Sequence, residues 1–270
     1  MKRMMLALAF SAMALPALAQ DRAELHTFHC LHGCPTGASA TNDVIVREIY
    51  TLSSNDRRKF ADWVAYRVTS DTVGPSGGRR WQADPWLAET ETLEPNDYDA
   101  APDALLIDRG HQAPLAAFSA TPFAGDTNIL SNITPQRSAL NQASWQYLEA
   151  QERRLVVRAV PADPLRELYV LTGPLYERMM PSMPMPNGHE RHRLPSAYWK
   201  VLATPDGRMA AFIFDQETPR SADYCSMKTS LEEVETRADL ELFPRLAVRD
   251  FADLGPELGC AALPAPLDPG

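Results

Sequence analysis

Leu105-Leu106-Ile107-Asp108-Arg109-Gly110-His111 is the stretch whose reading decides the fold. The three apolar residues predict a short buried strand. Asp108, Arg109, Gly110 and His111 then close it, and a glycine at a strand exit would let the backbone turn and present the imidazole. A second block follows, Leu140-Asn141-Gln142-Ala143-Ser144-Trp145-Gln146-Tyr147-Leu148-Glu149. Residues 141–154 contain no Gly or Pro and many helix formers, so a helix is predicted there. At helical spacing Asn141 and Glu149 fall about two turns apart on nearly the same face, with Trp145 between them as an anchor.

Working outward, 44–46 begins a strand that is read as running to Leu52. Residues 60–68 alternate aromatic and β-branched side chains and predict another. Residues 74–104 are dense in Gly, Pro, Asp and Asn and read as a long loop region. Residues 128–133 and 168–171 read as strands, and 198–203 and 209–214 as a hairpin joined by Pro205-Asp206-Gly207. Ser230-Leu231-Glu232-Glu233 has the spacing of a capping box and predicts a helix start. Strands on both sides of a central helix, without regular β-α alternation, predict an α+β domain built on a central antiparallel β-sheet with flanking helices.

Lys2 and Arg3, an apolar run from 4 to 15 and Ala17-Leu18-Ala19 have the form of a cleavable signal peptide over 1–19. Its removal leaves 251 of the 270 residues, residues 20–270, as a single domain that is secreted or periplasmic. No other apolar stretch approaches the ~20 residues a membrane span requires. Four cysteines in an exported chain predict two disulfides. Three pairings exist, of which Cys30–Cys34 with Cys225–Cys260 is the simplest.

The formal charge of −9 becomes −11 without Lys2 and Arg3, which is unusual for a nucleic-acid binder. Local charge matters more within a Debye length of roughly 8–10 Å. Arg137, Arg153, Arg154 and Arg158 outnumber Glu149 and Glu152 in the helical region, and Arg79 and Arg80 form another basic spot.

A histidine base, a neutral amide oxygen and a carboxylate are enough to hydrolyse a phosphodiester with one divalent cation. Arginine forks match phosphate oxygens. The ordered set Asp-Arg-Gly-His (108–111), Asn-Ile-Thr-Pro-Gln (132–136) and Leu-Asn-Gln-x-x-Trp-x-x-Leu-Glu (140–149) resembles the DNA/RNA non-specific endonucleases, the ββα-metal or His-Me finger nucleases, above all their secreted members. The likeness extends to Cys-x-x-x-Cys-Pro-Thr-Gly (30–37), Phe-Ala-Asp-Trp-Val-Ala-Tyr (60–66), Leu-Thr-Gly-Pro-Leu-Tyr-Glu-Arg (171–178) and Pro-Ser-Ala-Tyr-Trp-Lys-Val (195–201). It therefore covers nearly the whole mature chain.

The resemblance implies roles. His111 is the general base, Asn141 the one direct protein ligand of Mg²⁺ (with Mn²⁺ as a substitute), and Glu149 orients metal-bound water. Arg109 stands near the phosphate. Arg79 aligns with the arginine that stabilises the transition state, and Arg80 is the adjacent candidate. Asn132 and Arg153 support phosphate binding or the site scaffold. DNA and RNA, single- or double-stranded, are the implied substrates, cleaved to 5′-phosphate ends through backbone rather than base contacts. A non-catalytic binding protein on the same scaffold and a phosphodiesterase for a specialised substrate are the alternatives. A monomer and a homodimer both fit the sequence.

Other clusters read more plainly. His26, His29 and His32 around Cys30 and Cys34 are read as solvated histidines beside a disulfide rather than as a zinc site. His189-Glu190-Arg191-His192 lacks the zinc-protease spacing and reads as a polar loop. Met179, Met180, Met183 and Met185 read as an irregular packed loop.

Overall fold

The computed structural model describes residues 25–75, 77–159, 163–184 and 192–261. The expected signal peptide and most of the 189–192 motif lie outside them. Among the described residues no helix is long and apolar enough to cross a membrane.

A mainly antiparallel sheet of eight strands forms the centre. It contains β1 (Asp43–Val46), β2 (Tyr50–Ser54), β3 (Ala61–Thr69), β6 (Glu167–Leu175), β7 (Ala197–Ala203) and β8 (Arg208–Asp215) in that spatial order, with β10 (Ala252–Asp253) parallel to β8 and β9 (Lys228–Thr229) also paired to it. The predicted strand from 44 to 52 is two strands, because the chain turns at Arg47, whose N–H donates to Tyr50 O at 2.9 Å. The 60–68 strand and the 198–214 hairpin stand as read.

Helices cover both faces, so the alternation of the central strands is apolar on both sides. Val64, Tyr66 and Val68 of β3 and Tyr198 and Leu202 of β7 pack beneath α4 (Gln146–Arg158) with its Leu148, Leu155 and Val156. Trp63, Ala65, Trp199, Val201 and Ala203 face the other way, toward Leu231 and Val234 of α5 (Leu231–Ala238) and the Cys30–Cys34 arm. Ser230 caps α5 as predicted, its Oγ accepting from Glu233 N at 3.1 Å. Both disulfides are present, Cys30–Cys34 and Cys225–Cys260. His29, expected in solvent, is instead buried, with Nδ1 2.9 Å from Thr51 Oγ1 and Nε2 3.2 Å from Glu48 O.

A two-stranded sheet, β4 (Ile107–His111) against β5 (Ile133–Arg137), sits against the α4 side of the central sheet through Pro135 O, which accepts from the Tyr198 hydroxyl at 2.7 Å. Here the local reading shifts by several residues. Residues 101–105 form a short helix, α1 (Ala101–Leu105), with Pro102 in its first turn, and Leu106 takes a left-handed φ of 54° before β4 begins. Asp-Arg-Gly-His is thus the strand itself rather than its exit. Gly110 is not a turn residue. A Cβ there would lie 2.7 Å from the Gln136 side chain across the hairpin, so the glycine is required by close packing. Residues 128–132 are short 3-10 turns, and the strand that follows carries Pro135, a residue that argues against a strand except at an edge.

Candidate active site

Strands β4 and β5 followed by a helical run from Ser138 to Arg158 make a ββα unit. The run is not uniform. After α3 (Ser138–Leu140) the chain makes one wide π turn, Asn141–Trp145, before α4. Eight residues of ideal α-helix would leave Asn141 and Glu149 about 80° apart. A wider turn takes more residues per revolution and reduces that offset, and such turns mark functional sites often. Trp145 anchors the turn in the core, edge-on to Tyr198 and Phe214.

His111, Asn141 and Glu149 line one cavity of about 490 Å³, with Arg79, Arg109 and Arg153. Arg80 and Asn132 do not line it. Of the 79–80 doublet, therefore, only Arg79 reaches the cavity.

Nε2 of His111 lies 3.1 Å from Oδ1 of Asn128. A carbonyl oxygen only accepts, so Nε2 carries the proton and Nδ1 keeps its lone pair. Burial lowers the imidazole pKa to about 4, and the charge of Arg79 works the same way, against the Asn128 hydrogen bond. The ring is neutral across the physiological range. Asn128 had no predicted role, because nothing local to the sequence ties it to His111.

Asn141 donates its Nδ2 to Oδ2 of Asp108 at 2.8 Å. Asp108 also accepts from Ser138 Oγ at 2.7 Å and from Gln142 Nε2 at 2.8 Å. With its nitrogen engaged, the Asn141 amide turns Oδ1 away from Asp108, and no described residue donates to it. Asp108 lies in the first motif, yet its task was not legible there. Asn132, fully buried, accepts from Ala113 N at 2.8 Å and donates to Ala113 O and Thr127 O, holding the ends of the segment between β4 and β5 together.

Behind Glu149 stands a buried cation. Nζ of Lys200 is 3.0 Å from Oε1 of Glu152, 3.1 Å from the Tyr66 hydroxyl and 3.8 Å from Oε1 of Glu149. Desolvation pushes the Glu149 carboxyl up to about 7, despite the pull of Lys200, which it shares with Glu152. One ammonium cannot fully compensate two carboxylates.

Three arginines meet the cavity differently. Arg79 is exposed at its rim. Arg109 gives Nη2 to Pro95 O at 2.7 Å, between the rings of Trp81 and Tyr98. Arg153 presents a buried Nη1 that no described residue satisfies. Three guanidiniums around a neutral imidazole suit a polyanionic substrate despite the acidic whole.

Comparison with known proteins gives the chain's relatives. Residues 30–249 match the family model of the DNA/RNA non-specific endonucleases. The chain is 45% identical to the nuclease of Serratia marcescens over 246 residues, covering 90% of this chain and 89% of that one. It is 27% identical to nuclease C1 of Cunninghamella echinulata var. echinulata, covering 81% and 90%. The fold is similar to that in a crystal structure of the EndoG/EndoGI complex, with a TM-score of 0.61 at 22% identity, covering 75% of this chain and 86% of that one. A family model that matches residues 30–249, together with a relative 45% identical over 90% of this chain, places this chain in the DNA/RNA non-specific endonuclease family.

Proposed function

We propose that this enzyme hydrolyses DNA and RNA to 5′-phosphate ends with His111 as general base and a single divalent cation, Mg²⁺ or its substitute Mn²⁺. The observation that carries the reading is the opening of His111 and Asn141 into one cavity. Asn141 Oδ1 would hold the cation directly and Glu149 would hold its waters. The donor chemistry fits. Asn141 and Glu149 offer oxygen ligands, His111 is taken up as the base, and the described residues contain no cluster of three His, Cys, Asp or Glu that could hold an ion. Such a sparse site suits a hard cation that keeps most of its water. When bound, the cation supplies charge to the phosphoryl and leaving oxygens.

The protein's own part is then direct. Nδ1 of His111 removes a proton from the attacking water, and Asn128 holds the opposite ring nitrogen so that the lone pair faces the cavity. Arg79 and Arg153 take the charge that grows on the phosphoryl oxygens, with Arg109 beside them. Arg80, outside the cavity, and Asn132, inside the scaffold, act at most on substrate further along the strand and on loop shape. Guanidiniums that match phosphate oxygens suit recognition through the backbone rather than the base edges. The two disulfides suit an oxidising compartment and hence export.

Incubation of plasmid DNA and of RNA with Mg²⁺, then with EDTA, tests the reading. Cleavage of both that stops with chelator is expected. Binding without cleavage would indicate a binding protein, and turnover of small diesters alone a specialised phosphodiesterase.

A further inference from the structure

Trp81 stands in the cavity with no part in the chemistry above. The other tryptophans are accounted for. Trp63, Trp145 and Trp199 are at most 2% exposed, and Trp86, though exposed, lies outside the cavity with the Arg47 guanidinium 3.9 Å from its ring centre. Trp81 is half-buried. Its ring centre lies 5.4 Å from that of His111, tilted by 41°, and 5.5 Å from the Arg109 guanidinium. At that distance Arg109 is not stacked on the ring as Arg47 is on Trp86, and part of the indole stays open to the cavity. No described residue accepts a hydrogen bond from it.

The mounting of this ring is rigid. Its inner side packs on the cluster around Phe60, Tyr98 and Ile133. The next residue, Gln82, is hydrogen-bonded through its backbone to Asn128 O and Leu130 N. Asn128 is the residue that orients His111, so the indole and the general base are positioned by the same segment.

We propose that Trp81 is a stacking platform for the nucleobase adjoining the scissile phosphate. This rests on the nuclease reading and adds the group that seats the nucleotide beside the base. A flat apolar ring among guanidiniums complements a flat base next to a phosphate. Every base has a π-face, so the contact gives affinity without discrimination.

Single-stranded oligonucleotides with one cleavable linkage test it, using intact bases or an abasic residue on either side in turn. Trp81→Ala should lower kcat/KM on the intact substrate on the order of 10- to 100-fold, chiefly through KM. Trp81→Phe should restore most of it. The abasic residue, on one side, should cost the wild type a similar factor, and the two changes together little more than either alone. Losses that multiply, or equal losses with Phe and Ala, would overturn the platform and leave Trp81 as packing for His111. With EDTA present, an intact oligonucleotide should quench wild-type tryptophan fluorescence more than that of Trp81→Phe, and equal quenching counts against the proposal. Wild-type protein that cleaves neither substrate overturns the nuclease reading itself.

Discussion

Nδ2 of Asn141 and Oδ2 of Asp108 are 2.8 Å apart, and this bond decides which end of the amide faces the cavity. A metal ligand of one neutral oxygen is weak, so its orientation matters more than in a cage of charged ligands. Asp108→Ala should free the amide to rotate. We expect the Mg²⁺ concentration for half-maximal activity to rise about 10- to 100-fold, with much of kcat recovered at saturating Mg²⁺. An unchanged Mg²⁺ requirement would show that Asp108 does not position Asn141.

His111→Ala should reduce cleavage of both plasmid DNA and RNA by about 10²- to 10⁴-fold, with thermal unfolding little altered. Full activity in this variant would remove His111 from the mechanism.

The Glu149 carboxyl, held up to about 7 by burial, is largely protonated at pH 6 and ionised at pH 8. A bound cation favours the ionised form. Mg²⁺ should therefore bind more tightly as pH rises across this window, and binding near pH 6.5 should release a proton. Calorimetry in buffers of differing ionisation enthalpy reads the proton directly. Glu149→Gln should abolish the buffer dependence, and its persistence would assign the proton elsewhere.

His29 is buried neutral, its pKa lowered to about 4 chiefly by desolvation. Its unfolded counterpart titrates near 6.5, so acid favours unfolding from about 6.5 down to 4 and no further. Over that window the stability advantage of wild type over His29→Asn should shrink by about 3 kcal/mol. Denaturant titrations at pH 7 and pH 4 test this, and an advantage constant with pH would refute it.

Lys200 and Glu152 are both fully buried. Lys200→Met leaves buried carboxylates without their cation and should cost about 3–5 kcal/mol. Lys200→Met combined with Glu152→Leu should recover much of that loss in chemical denaturation. A double variant as unstable as the sum of the single ones would mean that the two groups are energetically independent.

Much of this was legible in residue order. The α5 cap, the β7–β8 hairpin and β3 follow from short-range patterns in which each residue's preference agrees with its neighbours. His111, Asn141 and Glu149 were singled out by motifs that resemble a family, and the structure brings all three to one cavity. The β4–β5 pair was read several residues out of place. Leu105 and Leu106 look like strand, yet they end a helix. Pro135 looks like a break, yet it tolerates an edge strand whose carbonyl is taken by Tyr198.

Sequence alone thus determined the candidate residues that the cavity collects, the sheet-centred α+β class and the elements specified within a few residues. Tertiary structure decided which of Arg79 and Arg80 reaches the cavity, which nitrogen of His111 is free, and which atom of Asn141 faces outward. It also raised the pKa of Glu149 through burial. Those outcomes depend on contacts between residues far apart in the chain, such as His111 with Asn128 and Glu149 with Lys200, and on water excluded by the whole fold. Local propensity carries no information about either.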